Sequence, residues 1–228
     1  MSSIIDMHAH YVSPTVIQEV ERSSATYGVS LQRGSDGKEQ LLFEDGTLLR
    51  PFFSELCDLD IRLPGMDAGG IQLQIVSTWT DMAGDNLPSA EATRWARLQN
   101  ETLAADIKTH PDRFLGMATL PMRDPLRAID ELNFVVKELG IHSVEIGTNI
   151  NGRDLDHPDF RPLWRRIRDL DVFVLLHPPM RPVGLERTSR YFLNNLISYP
   201  VDTTIAAARL LFSGLFQELP GLKICLAH

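Results

Sequence analysis

Four histidines stand at the ends of three short apolar runs in this chain. The first run reads Ile4-Ile5-Asp6-Met7-His8-Ala9-His10, and the others are Val172-Phe173-Val174-Leu175-Leu176-His177 and Lys223-Ile224-Cys225-Leu226-Ala227-His228. Near-continuous apolar runs of this length mark strands buried on both faces, as in a parallel sheet covered by helices. Imidazoles at the ends of such strands bring nitrogen donors to one rim of the sheet, where a β/α barrel keeps its chemistry. A barrel is favoured over an open doubly wound sheet because the donors come from the first, fifth and sixth strands. Only a curled sheet turns those ends toward one centre.

Between the histidine runs, strands alternate with amphipathic helices, the pattern of an α/β protein. Further strands are expected at 71–77, 114–120 and 143–147, and helices near 54–68, 89–109, 124–139 and 159–170, with helical segments between 188 and 218. Pro111 bounds the second of these helices and Gly140 the third. The expected fold is a distorted TIM (β/α)8 barrel with about six of its eight units present. It forms a single domain over 1–228, and strands seven and eight are expected beyond its end. Residues 11–50 read as an irregular insertion holding one hairpin, 41–49, with Asp45-Gly46 as its turn.

The bulk properties exclude several classes of partner. A net charge of −8 provides no cationic surface for nucleic acid. No apolar run of about 18 residues occurs, so no membrane partner is expected. The start lacks a basic leader, which points to a cytoplasmic protein. Cys57 and Cys225 read as reduced thiols, too few for a disulfide framework.

His8 and His10 are two residues apart on a strand and share a face, about 7 Å apart at the Cα atoms. Neutral imidazoles so placed chelate one ion, and zinc is the cation they suit best. His177 and His228 end neighbouring strands and complete a four-histidine group. None of the four lysines, Lys38, Lys108, Lys137 and Lys223, lies at the C-terminal end of a strand. A pair of metals bridged by a modified lysine is therefore not expected, and the fourth barrel strand carries Glu145 instead. One Zn2+ on three histidines is a sufficient catalytic set, and the fourth imidazole is free to move protons.

The motifs resemble those of the amidohydrolase-related family, the amidohydrolase-2 group. The resemblance rests on Asp6-x-His8-x-His10, Phe114-Leu115-Gly116-x-Ala118-Thr119-Leu120-Pro121-Met122 and Lys137-Glu138-Leu139-Gly140 running into Ile146-Gly147-Thr148. It continues through Leu176-His177-Pro178, Tyr199-Pro200-x-Asp202-Thr203-Thr204 and Pro220-x-Leu222-Lys223-Ile224-Cys225-Leu226-Ala227-His228. It implies zinc on His8, His10 and His177, completed by an aspartate from strand eight. It further implies His228 as the acid/base residue that activates water, and Arg50 as the group that grips a substrate carboxylate through paired hydrogen bonds.

The activity it implies is non-oxidative decarboxylation of a small unsaturated or aromatic carboxylic acid. A metal-dependent hydrolase or hydratase on the same scaffold is the alternative, and a truncated, non-catalytic fragment is the second. The resemblance also leaves room for a homodimer. The segment Arg190-Tyr191-Phe192-Leu193-Asn194-Asn195-Leu196 carries asparagines where members of that family have a tryptophan-containing pocket segment, so the resemblance does not fix the substrate.

Other residues divide by position. Trp79 reads equally as pocket wall or core aromatic, and Glu145 faces inward if Val144 and Ile146 pack on helices. Arg181, Arg187 and Arg190 follow the fifth barrel strand, as a group suited to an anion. Strict strand alternation sets Cys225 and His228 on opposite faces. His110, His142 and His157 are assigned no role.

Overall fold

The computed structural model of the protein describes residues 4–34 and 37–228. Ten strands occur among them: β1 (Ile4–Tyr11), β2 (Val29–Arg33), β3 (Glu39–Phe43), β4 (Ile71–Thr78), β5 (Phe114–Thr119), β6 (Ser143–Gly147), β7 (Asn149–Ile150), β8 (Arg153–Asp154), β9 (Phe173–His177) and β10 (Lys223–Leu226). Six form one parallel sheet in the order β1-β4-β5-β6-β9-β10. These are the six strands expected from the apolar runs. β2 with β3, and β7 with β8, form antiparallel hairpins.

The sheet is curled. In a flat sheet β1 and β9 would lie about 19 Å apart, four inter-strand spacings. Instead the His8 and His177 rings, one from each, are 5.0 Å apart. Strand alternation divides the core accordingly. Val144, Ile146, Val174 and Leu176 face outward onto Leu132, Leu163, Trp164 and Leu210, while Met117, Leu175 and Ala227 fill a small inner core with Cys225. Glu145 and His177 therefore point inward. Among the described residues β1 and β10 each pair on one side only, and Ile4, Ile5, Met7 and Leu226 are exposed.

The helices carry ordinary start and stop signals. Ser89–Ile107 buries Ala92, Trp95, Ala96, Gln99, Asn100, Leu103 and Ala104 along one stripe. Pro125–Phe134 begins at Asp124, whose carboxylate accepts from Leu126 N and Arg127 N, and its π-turn extension ends at Gly140 with φ 70°. The expected helix near 54–68 is broken into Ser54–Cys57, a short turn at Asp60–Arg62, and Leu63–Ala68. Asp58 interrupts it by accepting from Asp60 N at 2.8 Å.

Residues 11–50 are more regular than their sequence suggested. They contain the helix Pro14–Tyr27, capped by Ser13, which accepts from Thr15 N, and closed by left-handed Gly28. Val16 and Val20 bury its inner face. The Asp45-Gly46 turn forms as expected, with Gly46 N donating to Phe43 O and Leu42 bridging Leu48. Among the described residues no helix is long and apolar enough to cross a membrane.

Candidate active site

β1 delivers its two histidines from a distorted segment, with a register shift against β4 between Asp6 and Ala9. Such irregularities re-aim side chains at a barrel rim. Polar groups hold this one in place. Asp6 Oδ1 accepts from His8 N at 3.2 Å, and Asp6 Oδ2 accepts from Gln74 Nε2 at 2.8 Å. Arg62 donates to Gln74 Oε1 (3.1 Å), to Glu55 O (2.9 Å) and to the carbonyl of His10. A half-buried guanidinium thus clamps the backbone that carries the histidine pair.

The ligating atoms of His8, His10 and His177 lie within 4.8 Å of one another. His8 Nε2 and His10 Nε2 are 3.2 Å apart. His177 Nδ1 is 2.7 Å from Pro178 O, so it carries the proton and donates, which leaves a lone pair on Nε2. Burial pushes His10 down to about 2, with His177 and His8 adding to the shift. Burial likewise pushes His177 down to about 4, and it lowers His8 against the opposing pull of Glu145. All three are neutral at pH 7, the form that ligates metal. Crowded imidazole nitrogens in this state form a donor set that fits one divalent cation.

Glu145 lies beside this group, with Oε2 3.9 Å from His8 Nε2. It accepts from Ser77 Oγ and Thr80 Oγ1, each at 2.6 Å. Burial raises its carboxyl, and the two hydroxyl bonds pull the other way.

His228 follows β10 with φ 70°, leaving the strand's alternation. That turn brings its Nε2 to 3.3 Å from His177 Nε2 and its ring to 5.1 Å from Tyr199. Cys225 faces the inner core below, and the ligating group does not include it.

Above Glu145 opens a cavity of about 600 Å³. Trp79, Asp81 and Asp85 wall one side, Asn149, Asn151 and Gly152 of the β7–β8 hairpin another, and Phe43 and Leu48 of the insertion contribute an apolar edge. Arg181 reaches it, whereas Arg187 and Arg190 are not among its lining residues. Arg50 is not among them either and lies behind Trp79. Its guanidinium lies 4.8 Å over the Trp79 ring and 3.4 Å from Asp81 Oδ2, in a cleft shared with His10. The sequence reading missed Asp81, Asp85 and Arg62, which lie in loops and short turns without any periodic signal.

The sequence profile of the Amidohydrolase family matches residues 5–228, nearly all of this arrangement. The chain belongs to the amidohydrolase family. It is 32% identical over 98% of its length to 2-amino-3-carboxymuconate-6-semialdehyde decarboxylase of Dictyostelium discoideum, covering 62% of that protein. It is 34% identical over 82% of its length to γ-resorcylate decarboxylase of Rhodococcus jostii, covering 60% of it. The chain thus spans about three fifths of the length of these curated relatives.

Among solved structures it superimposes on the dihydroxybenzoic acid decarboxylase of Polaromonas sp., which holds manganese and the inhibitor 2-nitroresorcinol. The TM-score is 0.76 at 26% identity, covering 100% of this chain and 66% of that one. The amidohydrolase resemblance and the partial barrel of about six β/α units, both read from the motifs, are borne out.

Proposed function

We propose that this amidohydrolase is a metal-dependent, non-oxidative decarboxylase of a small aromatic or unsaturated carboxylic acid. The observation that carries the reading is the convergence of three neutral imidazoles, from β1 and the end of β9, next to Glu145, which lines a cavity of about 600 Å³. That volume suits one small ring. His8, His10 and His177 hold the metal, and an all-imidazole set favours zinc. Manganese is the second reading, motivated by the metal of the Polaromonas decarboxylase. A bound divalent cation supplies Lewis-acid charge to an oxygen of the substrate.

The chain's own residues do the rest. Arg50, stacked on Trp79, takes the substrate carboxylate and orients it. Trp79, Phe43 and Leu48 exclude water from the carbon that loses CO2. When that carbon–carbon bond breaks, the electron pair left on the substrate carbon needs a proton, and His228 Nε2, 3.3 Å from His177, is placed to move one. The ligand is a small-molecule carboxylate. The compartment is the cytoplasm, in keeping with free Cys57 and Cys225.

The test is CO2 release by the full-length protein from a panel of hydroxybenzoates and unsaturated acids, before and after chelation. His228→Ala is expected to abolish turnover while keeping the metal. Turnover that survives both chelation and His228→Ala would overturn the reading.

A further inference from the structure

The cavity above Glu145 has a polar wall that none of the roles above uses. Asp85 lies in the loop after β4, between Gly84, with φ 78°, and Asn86. Its carboxyl opens on the cavity, and among the described residues it makes no hydrogen bond and no ion pair. Burial alone pushes this carboxyl up to about 7. Asp85 is half-buried, so a ligand entering the cavity meets a carboxyl with no protein partner to displace.

The loop that carries it is held firmly. Trp95 Nε1 donates to Met82 O at 2.7 Å, and Asn151 Nδ2 donates to the backbone carbonyl of Asp85 at 2.7 Å. Asn151 is a residue of the β7–β8 turn, so two walls of the cavity fix the position of Asp85.

Gly147 places the carboxyl relative to the metal group. Glu145 and Gly147 share the inner face of β6, about 7 Å apart. A Cβ on Gly147 would lie 3.9 Å from Asp85 Oδ2, an ordinary contact distance, so the aspartate's carboxyl borders Gly147. Asp85 and Glu145 thus line the same cavity, Asp85 beside Gly147, and Glu145 is itself 3.9 Å from His8.

We infer that Asp85 is a substrate-binding residue that accepts a hydrogen bond from a hydroxyl or amino group on the part of the substrate remote from the metal. The inference rests on the proposed function and narrows its substrate class to carboxylic acids that carry such a donor across the ring or chain. The cavity is then polarised: a cation takes an anionic group at one end and a carboxyl takes a donor at the other. A single pocket so arranged sets both the orientation and the register of its ligand.

The test is calorimetric binding to the metal-loaded full-length protein, using 3- and 4-hydroxybenzoate, each against its fluoro counterpart. The fluorine matches the hydroxyl in size but donates nothing. The wild type is expected to prefer one hydroxy acid over its fluoro partner by about tenfold, the effect of one hydrogen bond to a charged group. Asp85→Ala is expected to bind the fluoro acid unchanged and to lose the preference, and Asp85→Asn to retain part of it. An undiminished preference in Asp85→Ala, or none in the wild type, would overturn the inference and leave the decarboxylase reading standing. Failure of every benzoate to bind in a metal-dependent way would instead strike that reading, and the inference with it.

Discussion

Glu131 offers a test of how the site is braced from behind. It is fully buried on the helix Pro125–Phe134. Arg97 Nε donates to its Oε1 at 3.2 Å and its Oε2 at 3.0 Å, with Nη2 paired 2.8 Å from Oε2, and Asn100 Nδ2 donates to its Oε1 at 2.8 Å. Asn100 also donates to Thr119 O and accepts from Thr119 N, both at 2.9 Å. The network thus ties two helices to the end of β5, where the ladder to β6 contains only Ala118 and Thr119. Thr119 lines the cavity.

Glu131→Ala removes these contacts to Arg97 and Asn100 and strands one buried N–H of Asn100. Breaking a buried charged pair in this way costs about 3–5 kcal/mol. Arg97 is 36% exposed at its side chain and can turn to water, so the lower end, about 3 kcal/mol, is expected. Glu131→Gln keeps an acceptor for Asn100 and should cost only about 1 kcal/mol. Urea unfolding of the full-length, metal-saturated protein at pH 7 measures both variants, with the denaturant slope expected to stay at its wild-type value. The reasoning fails if Glu131→Ala falls within about 1 kcal/mol of wild type, or costs no more than Glu131→Gln.

Two further outcomes follow from the same geometry. Arg62→Met releases the His10 carbonyl and Gln74, so metal affinity should fall about 10- to 100-fold in a chelator competition while the far-ultraviolet dichroism is kept; unchanged affinity would reduce the clamp to mere packing. Asp85 titrates at about 7 when folded and about 4 when unfolded, so between these values the folded chain keeps a proton that the unfolded chain has lost. Wild-type stability should therefore decline as pH rises through that window, by at most about 1.4 kcal/mol per unit, and level off above it. Asp85→Asn should lack this component, with Asp81, Glu145 and Arg181 common to both proteins. Parallel stability curves for the two would contradict the placement of Asp85.

The strands and the clustering of the histidines were legible because each rests on a short-range rule. An apolar run ending in histidine declares a buried strand and the rim it reaches, and period-two spacing put His8 and His10 on one face. Glu145 was placed inward by the same alternation, since Val144 and Ile146 pack outward. The helix Pro14–Tyr27 was legible and passed over. Ser13-Pro14 is a start signal, Val16 and Val20 repeat at helical spacing, and Gly28 is a stop. So was the β7–β8 hairpin, announced by Asn151-Gly152.

Other features depend on contacts distant in sequence and leave no local trace. Arg62 matters because it meets residues 12 and 52 positions away. Asp85 matters because the loop after β4 sets it beside Gly147 of β6. His228 reaches the site through a left-handed backbone turn that alternation does not predict.

The central claim is that His8, His10 and His177 hold one divalent metal. Plasma mass spectrometry of the full-length protein, purified without added chelator, tests it directly when wild type is compared with folded His177→Ala. The account predicts about one metal ion per chain in the wild type and almost none in the variant. A wild type without metal, or a His177→Ala variant that keeps its full complement, would contradict it.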